Sequence, residues 1–592
     1  MTVRGTGFRK LVLLNREGAA MTDIEERTPE RIVAGSAERL RTDGRLLAKV
    51  GSLPVLVVWH DGEAFAIEDR CPHLGFPLRQ GTIESGMVTC HWHHARFDLA
   101  SGCTLDPWAD DAIAFDVAIE GDEVVVSARP PVPALPRWSG RLREGLEQGL
   151  TLVVAKSVQS LVELPGGVAE ILRVGYDFGI ANRRDGWGSG LTVLTAMANL
   201  LPRLRPEDRS LALVHALEFL GGDTRGNAPR FALSPMTDAG QPVERLVGWY
   251  RRMIETRNGS GAERALATAI DRNELAAIEE VMFAAACDHV FVDEGHVLDF
   301  TNKAFEALTH LPSGSAALLT SLVRATARAE RSEESSEWNH PVDLAALATR
   351  TQTELVAILA RVPRDDGYDV AGLGQELLAD DPERVASSLL GAARCGAGVE
   401  QLARAVALAA GLGSQFHLNN DPGDWNTVHH TFTTANAVHR TCSSARRTCC
   451  RERSCTALRV YLDRFLNVPA LVSHSRRRAR SRALLQCGTS KAPSIERRMK
   501  RGDSSPPAGS ATNSPRALGH ALLQEDAGFH WYQMVEAGIA QAYEWPAGSE
   551  ESALLLVAVA RFLAAHTPSR RELQKIATTA VRLRRGEELF SD

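Results

Sequence analysis

Long hydrophobic runs are missing from this chain of 592 residues. No uninterrupted apolar stretch approaches the roughly 18 residues that a membrane-spanning helix needs, so a soluble, cytoplasmic protein is expected and a membrane partner is not. Also missing is any regular alternation of strand-like and helix-like runs, and with it a Gly-x-Gly-x-x-Gly turn leading from a strand into a helix. Gly186, Gly188 and Gly190 come nearest, and their spacing is that of an ordinary loop. A built-in nicotinamide- or flavin-binding domain is therefore excluded. Cysteine is sparse, with 10 residues; Cys103, Cys287 and Cys395 are isolated and five others crowd one odd segment. That distribution suits a reducing compartment and no disulfide scaffold. The hydrophobic content of 44% is enough for several domains with sizeable cores.

What is there is a ligand set. Cys71-Pro72-His73 is followed, after sixteen residues, by Cys90-His91-Trp92-His93. The pattern Cys-x-His…Cys-x2-His supplies two thiolates and two neutral imidazoles, the mixture that holds a two-iron two-sulfur cluster with one iron on sulfur and the other on nitrogen and raises its potential. Composition alone would place this spacing in a chain of this length about 10⁻⁴ times. Each pair falls on a loop beside strand-like runs: Leu53 to Trp59 and Ala64 to Glu68 precede the first, and Met87 to Thr89 and Ala95 to Leu99 bracket the second. Two such tips can clasp one cluster. The same residues could also form a tetrahedral zinc site, although structural zinc more often pairs like ligands, Cys-x2-4-Cys beside His-x3-5-His.

Residues 31 to 128, with CPHLGFPL, CHWHHARFD, the turn Ser101-Gly102 and the closing strand Glu123 to Ser127, resemble the Rieske ferredoxin family. The resemblance implies a small all-β domain with one [2Fe-2S] cluster, Cys71 and Cys90 on one iron, and His73 and His93 on the other. His91 and His94 do not fit the spacing and are expected beside the ligands or exposed. Respiratory members carry an extra Cys in each loop, joined as a disulfide, and Ser and Tyr hydroxyls near the sulfurs. This chain has Phe76 and Trp92 in the first pair of places and Ala95 and Phe97 in the second. Hydrogen bonds to sulfur favour the reduced cluster, so a potential near the low end of the Rieske range, about −150 mV, is expected.

The rest of the chain reads as a separate, mainly α-helical domain, making the fold class multidomain. Residues 1–30 form a leader whose Met1 to Ala20 stretch has too short an apolar core for a signal peptide, and Met21 is the expected true start. Residues 129–150 open with four prolines in eight residues and are expected as a stiff connector. Helical texture fills 151–440 and returns over 521–592, in runs such as Leu191 to Leu201, Arg209 to Leu220, Ala262 to Cys287, Val399 to Gly411 and Ala521 to Tyr543. Between them, residues 441–520 hold 15 Arg and 2 Lys against 4 acidic residues. Without an ordered face or interleaved aromatics this does not predict nucleic-acid binding. Two readings stay open: out-of-frame sequence over 441–455 and 471 to about 516, or a solvated basic linker.

An oxygenase's catalytic iron would need two imidazoles and a carboxylate. No Asp/Glu-x2-His-x3-4-His run exists: Asp293-x2-His296 has no second His in range, and Asp424 stands at the wrong distance from His429 and His430. What remains are polar residues in apolar helices. His215 lies before Glu218; His417 precedes His429 and His430; Asp526, His530 and Gln533 share a helical stripe. His215, His429 and His530 are the candidate catalytic residues. The run LVHALEF resembles the early helices of questin-oxidase-like proteins, which implies oxidation with NADPH and oxygen and identifies no catalytic residue. Two functions follow. The chain is an oxidoreductase in which the cluster, fed by a separate reductase, supplies a pocket for a small organic substrate, or it is a redox carrier or sensor whose helices only dock a partner.

Overall fold

The computed structural model describes residues 31–128, 133–237, 240–311, 314–334, 338–415, 422–443, 450–463, 513–587 and 589. The expected leader, residues 129–132 of the connector, His417 and most of the basic segment lie outside the described residues. The chain divides into two compact units, one ending at Val132 and the other running from Pro133 to Leu589.

Among its described residues the first unit is all-β apart from one short α-helix, α1 (Ala37–Asp43), and a single 3-10 turn at Leu78–Gln80. Its strands are β1 (Arg31–Ser36), β2 (Arg45–Val50), β3 (Leu53–His60), β4 (Glu63–Glu68), β5 (Thr82–Glu84), β6 (Met87–Thr89), β7 (Arg96–Asp98), β8 (Ala114–Glu120) and β9 (Glu123–Ala128). Six of them form an antiparallel sheet in the order β1-β9-β8-β4-β3-β2, and β5-β6-β7 form a second, three-stranded sheet. The unbroken apolar run of β3 has a physical reason: both of its faces are covered. Val55 and Val57 pack with Leu40 of α1, Leu46, Phe115 and Val126, while Leu56 and Val58 pack on the opposite side with Ile67, Leu78, Val88 and Phe97. Each fully buried branched side chain contributes about 1.5–3 kcal/mol. The second of these cores also contains Cys71 and Cys90, so the ligand loops are continuous with the hydrophobic interior.

The second unit is helical. It begins at Ala134–Gln148, within the stretch read as a connector; Pro136 sits in the first turn, where its missing N–H costs nothing, and Leu142 and Leu146 are buried. The run Ala262 to Cys287 is two helices, Gly259–Asp271 and Leu275–Ala286, because Asn273 takes a left-handed conformation (φ 61°) between them. Six helices matter below: α2 (Ser189–Leu200), α3 (Arg209–Thr224), α4 (His296–Ala307), α5 (Pro422–Ser443), α6 (Phe529–Tyr543) and α7 (Glu550–His566). Helix α6 packs against α2, α5 and α7, and α4 packs against α2 and α5. Among the described residues no helix is long and apolar enough to cross a membrane.

Candidate functional site

In the first unit the two ligand loops repeat one hydrogen-bond pattern. The Cys71 amide donates to the Phe76 carbonyl (2.8 Å) and Gly75 donates to the Cys71 carbonyl (2.8 Å); Cys90 donates to Ala95 (2.8 Å) and His94 to Cys90 (2.9 Å). The fifth residue of each loop must be left-handed, and Gly75 (φ 90°) and His94 (φ 64°) occupy that place. An Asp braces each loop. Asp69 is buried and accepts from the Arg79 amide at 2.7 Å, and Asp106 accepts from the Arg96 amide and guanidinium at 2.8 Å, which lowers its pKa.

These loops bring the four sequence-expected residues together. Cys71 and Cys90 are 2% and 1% exposed, and their thiols hydrogen-bond to each other, raising the pKa of Cys71 and lowering that of Cys90. Backbone amides of His73 and Leu74 donate to the Cys71 sulfur, and those of Trp92 and His93 to the Cys90 sulfur. Such donors favour anionic sulfur, and the sequence carries no signal of them. The His73 and His93 rings meet edge to face, 4.8 Å between centroids. Two sulfurs ringed by amide donors beside two imidazoles fit a mixed-ligand [2Fe-2S] cluster. His91 is turned to the Thr82 hydroxyl (Nε2 to Oγ1, 2.7 Å), and His94 is an exposed turn residue. Phe76 and Trp92 lie 6.1 Å apart, ring to ring. Trp92 packs on His93 (4.5 Å) and Trp108 on His73 (4.8 Å). Ala95 and Phe97 are fully buried and carry no hydroxyl.

The second unit contains a cluster of imidazoles. His429 of α5 and His530 of α6 stack at 3.8 Å. His215 of α3 is not with them: its Nδ1 bonds the Tyr532 hydroxyl at 2.9 Å, it is completely buried, and desolvation lowers its pKa to about 4. That is a neutral core histidine, so of the three candidates the structure brings together His429 and His530 but not His215. Its place is taken by His296 and His430. The ring nitrogens of His296, His430 and His530 lie within 4.8 Å of one another, and His566 of α7 flanks the group. Asp293-x2-His296 has no second His nearby in the chain, and the partners of His296 come from helices more than a hundred residues away.

The geometry is specific. His430 Nδ1 contacts the Glu294 carboxylate at 2.8 Å, and His430 Nε2 faces His530 Nε2 at 3.3 Å. His530 Nδ1 meets Gln533 Oε1 at 3.2 Å, and Gln533 Nε2 donates to Asp299. Among the described residues His429 has no hydrogen-bond partner at either ring nitrogen, and it is 4% exposed. Burial first, and neighbouring imidazoles second, lower the pKa values of His296 and His530 to about 3 and lower that of His429 as well. At neutral pH these rings are uncharged donors. A strained turn delivers two of the groups: Phe291, Asp293 and Glu294 all have φ near 50°, a conformation costing about 1–3 kcal/mol per non-glycine residue. Gly295 ends it at φ 93°, where a Cβ would lie 1.8 Å from Thr434 Oγ1. His296 and His530 are only half-buried, leaving the cluster approachable beside Phe300 and Phe529.

Comparison with known proteins bears on the first unit. The profile of the Rieske [2Fe-2S] domain family matches residues 30–116. The ferredoxin component of biphenyl 2,3-dioxygenase from Rhodococcus jostii (strain RHA1) is 36% identical over 77 residues, 13% of this chain and 72% of that protein. Apoptosis-inducing factor 3 of Mus musculus is 38% identical over 84 residues, and the chain spans only 14% of its length. The solved ferredoxin of carbazole 1,9a-dioxygenase from Nocardioides aromaticivorans IC177 aligns over 17% of this chain and 98% of its own at 24% identity, with a TM-score of 0.16. Zinc is thereby set aside as the occupant of the loops. With the family profile matched over residues 30–116 and paired Cys–His loops carried on an all-β domain, the chain belongs to the Rieske [2Fe-2S] family, and its cofactor is a [2Fe-2S] cluster.

Proposed function

We propose that this chain is an oxidoreductase of the oxygenase type, in which a Rieske cluster held by Cys71, Cys90, His73 and His93 receives electrons from a separate reductase and supplies a second metal centre held by His296, His430 and His530 in the helical unit. Rieske-type electron transfer is the established part of this reading. One observation carries the rest. Glu294 can only accept, so His430 carries its proton on Nδ1; Gln533 presents its oxygen to His530, so that ring carries its proton on Nδ1 too. The two Nε2 atoms face each other across 3.3 Å, a contact that calls for a cation between them, either a proton on His430 shared as a hydrogen bond or a metal ion. Two nitrogens each about 2.1 Å from one ion stand that far apart at an angle near 100°. Imidazole ligands suit iron, copper, nickel and zinc, and fusion to a one-electron donor favours a redox metal, iron first. The half-buried side of the cluster, walled by aromatic rings, suits a small organic substrate and oxygen. This favours the enzyme over a docking module.

The test is metal analysis of the full chain purified anaerobically with iron. About three irons and two acid-labile sulfides per chain are expected, falling to two irons and two sulfides in His430→Ala with the Rieske electron paramagnetic signal unchanged. Two irons in both proteins, with no other metal in stoichiometric amount, would overturn the second centre.

A further inference from the structure

Behind His530 lies a pair of side chains with no obvious reason to be polar. Asp299 and Gln533 are 2% and 1% exposed, sit on different helices, and are joined by a hydrogen bond from Gln533 Nε2 to Asp299 Oδ2. We propose that Asp299, acting through Gln533, is a positioning residue that holds His530 in the ring orientation and tautomer required of a metal ligand; this rests on the metal-centre reading above.

Donors and acceptors must match along the line Asp299–Gln533–His530. A carboxylate has nothing to donate, so the amide facing it must present its NH2 group. The other end of the amide, Oε1, is then left facing His530 Nδ1 at 3.2 Å, and an acceptor there keeps the ring proton on Nδ1. Nε2 stays unprotonated and aimed at His430 Nε2. If the carboxylate is replaced by a group that donates as readily as it accepts, the amide can turn round. Its NH2 then bonds Nδ1, the proton moves to Nε2, and the ring can no longer ligate through that atom. Burial makes the preference strong, since no water competes for the amide and unpaired polar ends are costly.

The placement is economical in sequence. Asp299 is three residues after His296 on α4, and Gln533 three after His530 on α6, so each lies on the same helix face as a cluster histidine. One turn beyond Asp299, the buried Lys303 ammonium is held by Glu306 (2.8 Å) and Glu536 (2.7 Å). Desolvation raises the Asp299 carboxyl to about 7, and the Lys303 charge opposes that rise without cancelling it. Carboxylates behind ligating histidines, direct or relayed, typically change metal affinity 10–100-fold when removed.

The experiment titrates Co²⁺ into the full-length protein with its [2Fe-2S] cluster intact and the histidine cluster freed of metal, reading affinity by calorimetry and coordination by the difference spectrum against cobalt-free protein. Gln533→Met is expected to bind Co²⁺ about 10–100-fold more weakly, and Asp299→Asn less severely so. The double variant should be no weaker than Gln533→Met alone, because Asp299 acts only through Gln533. Gln533→Glu, which keeps an acceptor at Nδ1, should restore near-native affinity and spectrum, and it also serves as the reference should Gln533→Met fail to fold. Native affinity in Gln533→Met, losses that multiply in the double variant, or failure of Gln533→Glu to bind while folded would each overturn the proposal. No Co²⁺ binding by the unmodified protein would instead overturn the metal centre itself.

Discussion

Restoring hydroxyls beside the cluster should raise its potential, and the structure sets the size of the effect. Ala95 and Phe97 occupy the places of the respiratory Ser and Tyr, and both are completely buried against the core that contains Cys71 and Cys90. The present sulfur donors to Cys71 and Cys90 are backbone amides, so the native midpoint is expected near or below about −100 mV. A hydrogen bond to a charged acceptor is worth about 1.5–3 kcal/mol, and for a one-electron couple about 1.4 kcal/mol corresponds to 59 mV. Only the difference between the oxidised and reduced cluster counts, so about 60–130 mV is a ceiling for each hydroxyl. Ala95→Ser, which adds one atom where no water competes, should raise the midpoint by several tens of mV, and adding Phe97→Tyr should raise it further. Protein-film voltammetry at fixed pH, with the reduced electron paramagnetic spectrum as a check on cluster integrity, gives the numbers. A native midpoint above about +100 mV, or an Ala95→Ser midpoint equal to or below the native one, would refute the reasoning.

Other outcomes follow from the same structure. His73→Ala and His93→Ala should abolish the reduced Rieske signal, whereas His91→Ala and His94→Gly should leave the cluster assembled; loss of signal in His94→Gly with His93→Ala intact would reverse the assignment. His215→Ala should leave the histidine-cluster metal content unchanged while lowering stability by about 1–3 kcal/mol, since it strands the buried Tyr532 hydroxyl; chemical denaturation with parallel metal analysis checks both parts. His289 is clasped between Glu333 (2.5 Å) and Glu255 (2.7 Å), and the Glu333 hydrogen bond, opposed by partial burial, raises its pKa. A raised histidine stabilises the fold fully below its ordinary value of about 6.5 and loses that contribution as pH rises through the folded value. The melting temperature of the native protein should therefore fall over that window relative to His289→Gln, and parallel curves would refute the clasp.

The Rieske unit was legible because its chemistry is local. Cys71 and His73 share one loop, Cys90 and His93 another, and the strands that carry those loops announce themselves by apolar runs such as Leu53 to His60. A backbone turn of fixed shape needs a fixed spacing, so the spacing survives in the linear sequence. The mainly helical texture of the remainder was legible for the same reason, since each helix is made by neighbours three and four residues apart. The amide donors around the sulfurs and the Asp69 and Asp106 braces were not, because backbone groups leave no residue-type signal and a surface-looking Asp is common. In the helical unit the sequence by itself marked His429 and His530 as polar residues in apolar surroundings, and it marked His215 equally. Only the tertiary structure separates them. Packing of α4, α5 and α6 converges His296, His430 and His530 from three distant stretches of chain, whereas α3 turns His215 onto Tyr532. A side chain's chemistry is decided by which atoms reach it across helix interfaces, and no interval along the chain encodes that.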